Sequence, residues 1–118
     1  MLRRYACVQQ RDQSDCGAAA LATVALHYNV PMRLQKIRDL AGTDKVGTNL
    51  HGMVQAAEKM GFIARAVKGP FDALSETALP AIAHIITKEG LGHFVVVHRL
   101  TPKQVIVADP GRGIVKLS

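Results

Sequence analysis

Apolar positions recur along this chain with two different periods, and the change of period divides it. From Cys16 to Tyr28 the residues Ala18, Ala19, Ala20, Leu21, Val24, Ala25 and Tyr28 keep helical spacing, and so much alanine predicts a helix buried on most sides. Ser14 and Asp15 stand before it as candidate caps, because short polar side chains accept from the unpaired N–H groups of a first turn. Asn29-Val30-Pro31 stops it, since proline cannot continue the helical ladder. Leu34, Ile37, Leu40 and Ala41 predict a shorter amphipathic helix ended by Gly42. After a polar, glycine-bearing loop from Gly42 to Asn49, a third helix is expected from Leu50 to Met60, burying Leu50, Met53, Val54 and Ala57, with Gly61 just past its end.

Beyond Gly61 the period drops to two. Phe62 to Val67 alternates like a half-buried strand, and Ala81 to Thr87 and His93 to Leu100 are dense apolar runs of strand length. A short helical turn is expected around Phe71 to Glu76. Lys88-Glu89-Gly90-Leu91-Gly92, Thr101-Pro102-Lys103 and Asp109-Pro110-Gly111-Arg112-Gly113 have the composition of turns, the last leading into Ile114 to Leu117. Helices first and antiparallel strands after predict an α+β fold. The 118 residues suffice for one domain with a single core, and the expectation is a single domain over residues 1–118.

Composition narrows the class. Hydrophobic residues make up 48% and charged residues 20%, which excludes disordered and collagenous chains. No apolar run approaches the ~18–20 residues of a membrane-spanning helix, and the start lacks the apolar stretch of a secretory signal, so a cytoplasmic location is expected. The only cysteines, Cys7 and Cys16, form no C-x-x-C pair; free thiols are expected, with no metal and no cofactor. A formal charge of +6 favours acidic partners. Because the basic residues are spread singly and only five aromatics (Tyr 2, Phe 3, Trp 0) are available to stack, nucleic acid is not the expected one.

Candidate chemistry begins at Cys16. A thiol at a helix's first turn gains nucleophilicity from the unpaired N–H groups and the macrodipole, and Gly17 lets another chain approach the backbone closely. A lone cysteine there is more often a small buried hydrophobe, so it needs partners. His93 opens a strand directly after Gly92, where a side chain sits at a rim, and alternation puts His93, Val95 and Val97 on one face and Phe94, Val96 and His98 on the other. If the Thr101-Pro102 turn pairs Arg99 with Lys103, the register continues to Val97 with Val105, Val95 with Val107, and His93 with Asp109. The imidazole and carboxylate then lie side by side, ready to fix the tautomer facing a thiol; the alternative for Asp109 is a turn residue before Pro110. An oxyanion also needs a donor, and Gln9, Gln10 and Gln13 are equally available by position.

The residues just named, together with Gly42-Thr43-Asp44, Gly47-Thr48-Asn49, Ala108-Asp109-Pro110-Gly111 and Gly111-Arg112-Gly113-Ile114-Val115, run in the order of a known family. The chain resembles, nearly end to end, the bacteriocin-processing peptidase domains that begin peptidase-containing ABC transporters. The resemblance implies a papain-like fold and a cysteine endopeptidase that removes a leader peptide after a double-glycine motif, Gly-Gly or Gly-Ala. Its place would be the cytoplasmic face of the bacterial membrane, its partners the precursor's amphipathic leader and the transmembrane and ATP-binding domains of the parent transporter. The isolated domain is expected to be soluble and monomeric. The resemblance selects Gln10, six residues before Cys16, as oxyanion donor, with Cys16 as nucleophile, His93 as base and Asp109 as its orienting acid. Gly17 and Gly92 would wall a narrow cleft for two small residues. Two departures stand out. Ala20 replaces a second cysteine frequent in relatives, and relatives continue past Ser118 with a further apolar segment, so a shortened C-terminus is expected. The alternative function is a non-catalytic leader-docking module, which some relatives have become by losing the cysteine.

Overall fold

The computed structural model describes residues 5–11, 13–42, 49–66, 78–86, 88, 90 and 92–117. A short 3-10 turn, Gln13–Asp15, leads into helix α1 (Cys16–His27), followed by α2 (Leu34–Ala41) and α3 (Leu50–Lys59). Strands β1 (Ala81–Ile86), β2 (Gly92–Leu100), β3 (Val105–Asp109) and β4 (Gly113–Leu117) then form an antiparallel sheet in chain order. Helices in the first half and a meander in the second make this the expected α+β arrangement.

Helix ends follow local chemistry. Past α1, Asn29 takes a left-handed conformation (φ 61°), and the N–H groups of Asn29 and Val30 donate to Leu26 and Ala25 carbonyls at 3.0 and 2.8 Å. Past α3, Gly61 (φ 98°) and Phe62 repeat the motif onto Glu58 and Ala57. Both are the paired closure that satisfies orphan helix carbonyls. Asn49 caps α3 by accepting from the Gly52 N–H at 2.7 Å. At α1 the expected cap is absent: Asp15 occupies the position, but its side chain makes no capping bond, because its carboxylate is engaged elsewhere.

The core lies between α1 and the sheet. Ala18, Ala19, Ala20 and Ala25 are fully buried, and Ala18 and Ala20 join Phe94, Val96 and Ala108 in one cluster with Ile37, Met53 and Ala56. The five alanines of α1 let the helix axis approach the sheet closely on β2, its main contact. A similar economy joins α2 to α3, where a methyl group on Gly52 would sit 2.2 Å from the Ala41 carbonyl oxygen.

One expected strand does not form. Residues 62–66 take no strand structure. Phe62 and Ala64 pack against the core while Ile63 is fully exposed; the alternation recorded which side faces inward, but these residues pair with no strand among the described residues. Val67, the turn expected around Phe71 to Glu76, and residues 43–48 of the loop lie outside the described residues.

Candidate active site

The β2–β3 hairpin brings a base to an acid by a register that differs from the expected one. Val97 pairs with Val107, Val96 with Ala108, Arg99 with Ile106 and Leu100 with Val105, with an irregularity between Val97 and Arg99. The turn is tighter than expected: Thr101 and Gln104 exchange backbone hydrogen bonds at 2.9 and 3.3 Å around Pro102-Lys103, and the Thr101 hydroxyl accepts from Lys103 and Gln104. His98 is the extra residue that absorbs the difference. Continued past Val96 and Ala108, this register sets Asp109 opposite Val95, two residues from the expected place. A slip of two keeps every side chain on its face, so His93 and Asp109 remain diagonal neighbours within reach of long side chains.

They meet. His93 Nε2 lies 2.7 Å from Asp109 Oδ1. A carboxylate oxygen accepts, so Nε2 is the donor in this contact, and in the tautomer that carries its one proton there Nδ1 is left as the ring's acceptor. The same Oδ1 accepts from the Gly111 N–H at 2.9 Å. Asp109 is therefore at once the turn residue and the imidazole's partner; the two readings describe one side chain.

Gln10 reaches this turn from the N-terminal segment. Its N–H donates to the Pro110 carbonyl at 2.8 Å, and its Oε1, buried and without a hydrogen-bond partner among the described residues, would lie 3.7 Å from a Cβ on Gly111. One residue on, the Arg11 N–H donates to Asp15 Oδ2 at 3.2 Å. Asp15 directly precedes Cys16, a buried free thiol at the first position of α1. A continuous path of hydrogen bonds and adjacent residues thus runs from His93 through Asp109, Pro110, Gln10, Arg11 and Asp15 to Cys16. The far end of the α1–β2 pair is marked by His27 and His98, 5.9 Å apart.

The two glycines expected to wall the cleft differ in exposure, Gly92 lying at the surface. Gly17 is buried within α1. A Cβ on Gly92 would meet His84 Nε2 at 2.7 Å, and the His84 ring also lies tilted against Phe94, with ring centroids 4.8 Å apart. The small residue at position 92 accommodates that ring, a contact that single-strand alternation cannot reveal because it depends on the β1–β2 register, His84 opposite Phe94.

Three further features escaped the sequence reading. Asp15 is 2% exposed and ion-paired to Arg38 of α2, and Arg38 Nη1 also donates to the Ser14 hydroxyl at 3.3 Å. Cys7 places its thiol 3.9 Å from the Asp109 carbonyl oxygen, and burial, followed by the charge of Asp109, pushes its pKa up. An open cavity of about 510 Å³ beside the N-terminal segment is lined by Val8, Gln9, Arg11, Arg33, Leu34 and Gln35, apolar and basic together. Each depends on contacts between distant segments, which carry no local signature.

Comparison with known proteins places the chain in a family and matches its fold. A sequence model of the family described as the Peptidase C39 family matches residues 4–118. The lactococcin-G-processing and transport ATP-binding protein LagD of Lactococcus lactis subsp. lactis is 37% identical over 111 residues, covering 92% of this chain and 16% of LagD. The chain thus spans about a sixth of that relative's length. Among solved structures, the peptidase domain of Streptococcus ComA, a bifunctional ABC transporter involved in a quorum-sensing pathway, superimposes with a TM-score of 0.89 at 36% identity, over 98% of this chain and 87% of that one. A double glycine motif protease from an AMS/PCAT transporter, in complex with the leader peptide, gives a TM-score of 0.83 at 28% identity, over 94% of this chain and 77% of that one. The fold is that of these papain-like peptidase domains.

Proposed function

The chain belongs to the peptidase C39 family, and on that premise we propose that it cleaves precursor peptides after a double-glycine motif, using Cys16 as nucleophile, His93 as base, Asp109 as the base's orienting acid and Gln10 as oxyanion donor. The observation that carries the reading is the 2.7 Å contact between His93 Nε2 and Asp109 Oδ1. It leaves Nδ1 as the proton acceptor at the same end of the α1–β2 pair where α1 begins with a cysteine.

The chemistry follows from these positions. Nδ1 takes the thiol proton as Cys16 Sγ attacks the carbonyl carbon of the second small residue, forming a C–S bond and an oxyanion. The Cys16 N–H and the Gln10 side-chain amide donate to that oxyanion. The imidazolium, its charge balanced by Asp109, protonates the leaving amine as the C–N bond breaks. Water then attacks the thioester, passing its proton to the same ring and freeing Cys16.

The substrate class rests on complementarity. A chain of charge +6, with a cavity that sets Arg11 and Arg33 beside Val8 and Leu34, suits an amphipathic acidic leader. The relatives' roles in processing and transport suggest that this domain serves a transporter with transmembrane and ATP-binding parts, on the cytoplasmic side. Among the described residues no helix is long and apolar enough to cross a membrane.

The test is mass spectrometry of double-glycine precursor peptides after incubation under reducing conditions. Wild type should release the leader with its C-terminus at the second small residue, and Cys16→Ala should bind the same peptide without cutting it. Cleavage by Cys16→Ala would refute the nucleophile, and binding without cleavage by wild type would favour a docking module.

A further inference from the structure

We infer that Asp15, held by Arg38, is a positioning residue for the oxyanion donor; the inference rests on the assignment of Gln10 made above. Asp15 stands where a helix N-cap belongs, yet it makes no capping bond to α1. One carboxylate oxygen is turned to the Arg38 guanidinium of α2. The other accepts the N–H of Arg11, at 3.2 Å, in the peptide unit that follows Gln10.

Two consequences follow from that diversion. The Asp15 side chain leaves the first-turn N–H groups of α1 uncovered, and a carboxylate capping them would place negative charge where the oxyanion must form. Gln10 is also gripped from both sides, its own N–H by the Pro110 carbonyl at 2.8 Å and the next N–H by Asp15. The first grip belongs to the sheet and the second to the helices, so the side-chain amide is suspended between the layer that carries His93 and the layer that carries Cys16. Arg38 is what commits the second grip. A buried carboxylate needs a cation or donors, and Arg38 supplies the cation while steadying the preceding turn through Ser14 at 3.3 Å.

The experiment compares Arg38→Gln, Arg38→Lys, Gln10→Ala and the double variant Gln10→Ala/Arg38→Gln in the 118-residue chain. Two rates are read on each: release of aminocoumarin from an acidic amphipathic peptide ending in Gly-Gly-aminocoumarin, and alkylation of Cys16 by iodoacetamide, located by peptide mapping. Alkylation needs a reactive thiol but no oxyanion hole. Losing one oxyanion donor outright costs ~10²- to 10³-fold in kcat, and a loosened donor should cost less, about tenfold for Arg38→Gln. KM and the Cys16 alkylation rate should stay within about threefold of wild type. Arg38→Lys should recover part of kcat, and the double variant should be no slower than Gln10→Ala alone.

Multiplied losses in the double variant, or alkylation falling in step with kcat, would overturn the inference, the second by showing general disruption of the α1 start. Should Arg38→Gln fail to fold, Arg38→Lys carries the same two comparisons. An unchanged kcat for Arg38→Gln beside a crippled Gln10→Ala removes the clamp and leaves the oxyanion assignment standing. A Gln10→Ala that cleaves like wild type removes both.

Discussion

Strand β2 carries a histidine near each end, and the two are held to different purposes. His93 Nε2–H donates a hydrogen bond to the Asp109 carboxylate and His98 Nε2–H donates one to the Ala6 backbone carbonyl, each at 2.7 Å. Residue type, strand and bond length are the same; the acceptor is not. A carboxylate can balance the charge that a ring acquires when it takes a proton during turnover, whereas a carbonyl offers only a dipole. At His98 burial therefore prevails: desolvation, with the charge of nearby His27 adding to it, pushes the pKa down against the upward pull of the Ala6 carbonyl. In the proposed mechanism His93 exchanges protons, whereas His98 ties the N-terminal segment to the sheet. That segment carries Gln10, so the second histidine supports the site without belonging to it.

The widest separation between the two ends should appear in turnover. Asp109→Ala removes the partner of His93 and the acceptor of the Gly111 N–H, and loss of an orienting acid has cost ~10⁴-fold in the serine-protease triad. Here kcat should fall at least ~10²-fold with KM little changed. His98→Ala should leave kcat of the folded protein within about threefold. Steady-state kinetics on the same peptide decide the matter: equal losses at both ends would end the distinction.

The order reverses for stability. His98→Ala strips the Ala6 carbonyl of its donor, which should cost about 1–3 kcal/mol in urea unfolding. The pH dependence has a definite sign. Because the folded-state pKa of His98 lies below its unfolded value near 6.5, the unfolded chain binds the extra proton first. Its contribution is complete above that unfolded value and is lost as pH falls through the folded one. Wild type should lose urea midpoint between about pH 7.5 and about pH 5 more steeply than His98→Leu, in which nothing titrates at this position. Parallel slopes would mean that His98 is not the group responsible.

Most of the helical half was legible because helix signals are local. The residues of α1, the Gly42 end of α2 and the Gly61 end of α3 announce themselves within a few positions. The sheet was legible in its strands but not in its register. The choice between pairing Val97 with Val105 and with Val107 turned on a two-residue turn and an extra residue at His98, and alternation contains neither. His93 and Asp109 still met, because an even slip preserves faces; an odd one would have parted them. Residues 62–66 show the converse, with the alternation of a strand but no ladder. The ion pair of Asp15 with Arg38 spans 23 positions between two helices, and no local pattern calls for it.

The smallest expected effect concerns Cys7 and sharpens the contrast between the chain's two thiols. Cys7 Sγ approaches the backbone carbonyl of Asp109, not its carboxylate, so it neither competes with His93 for Oδ1 nor shares in orienting the ring. Burial and the Asp109 charge hold its pKa up, which keeps the thiolate scarce near neutral pH. Cys16 opens a helix whose first-turn N–H groups the Asp15 side chain leaves uncovered. Cys7→Ala should change kcat/KM by less than about threefold. In the wild type, iodoacetamide at neutral pH should label Cys16 well before Cys7, as read by peptide mapping over time. Faster labelling of Cys7 would mean that the N-terminal segment opens more often than its bonds to Thr23, His98 and Pro110 allow, and the grip on Gln10 would have to come from elsewhere.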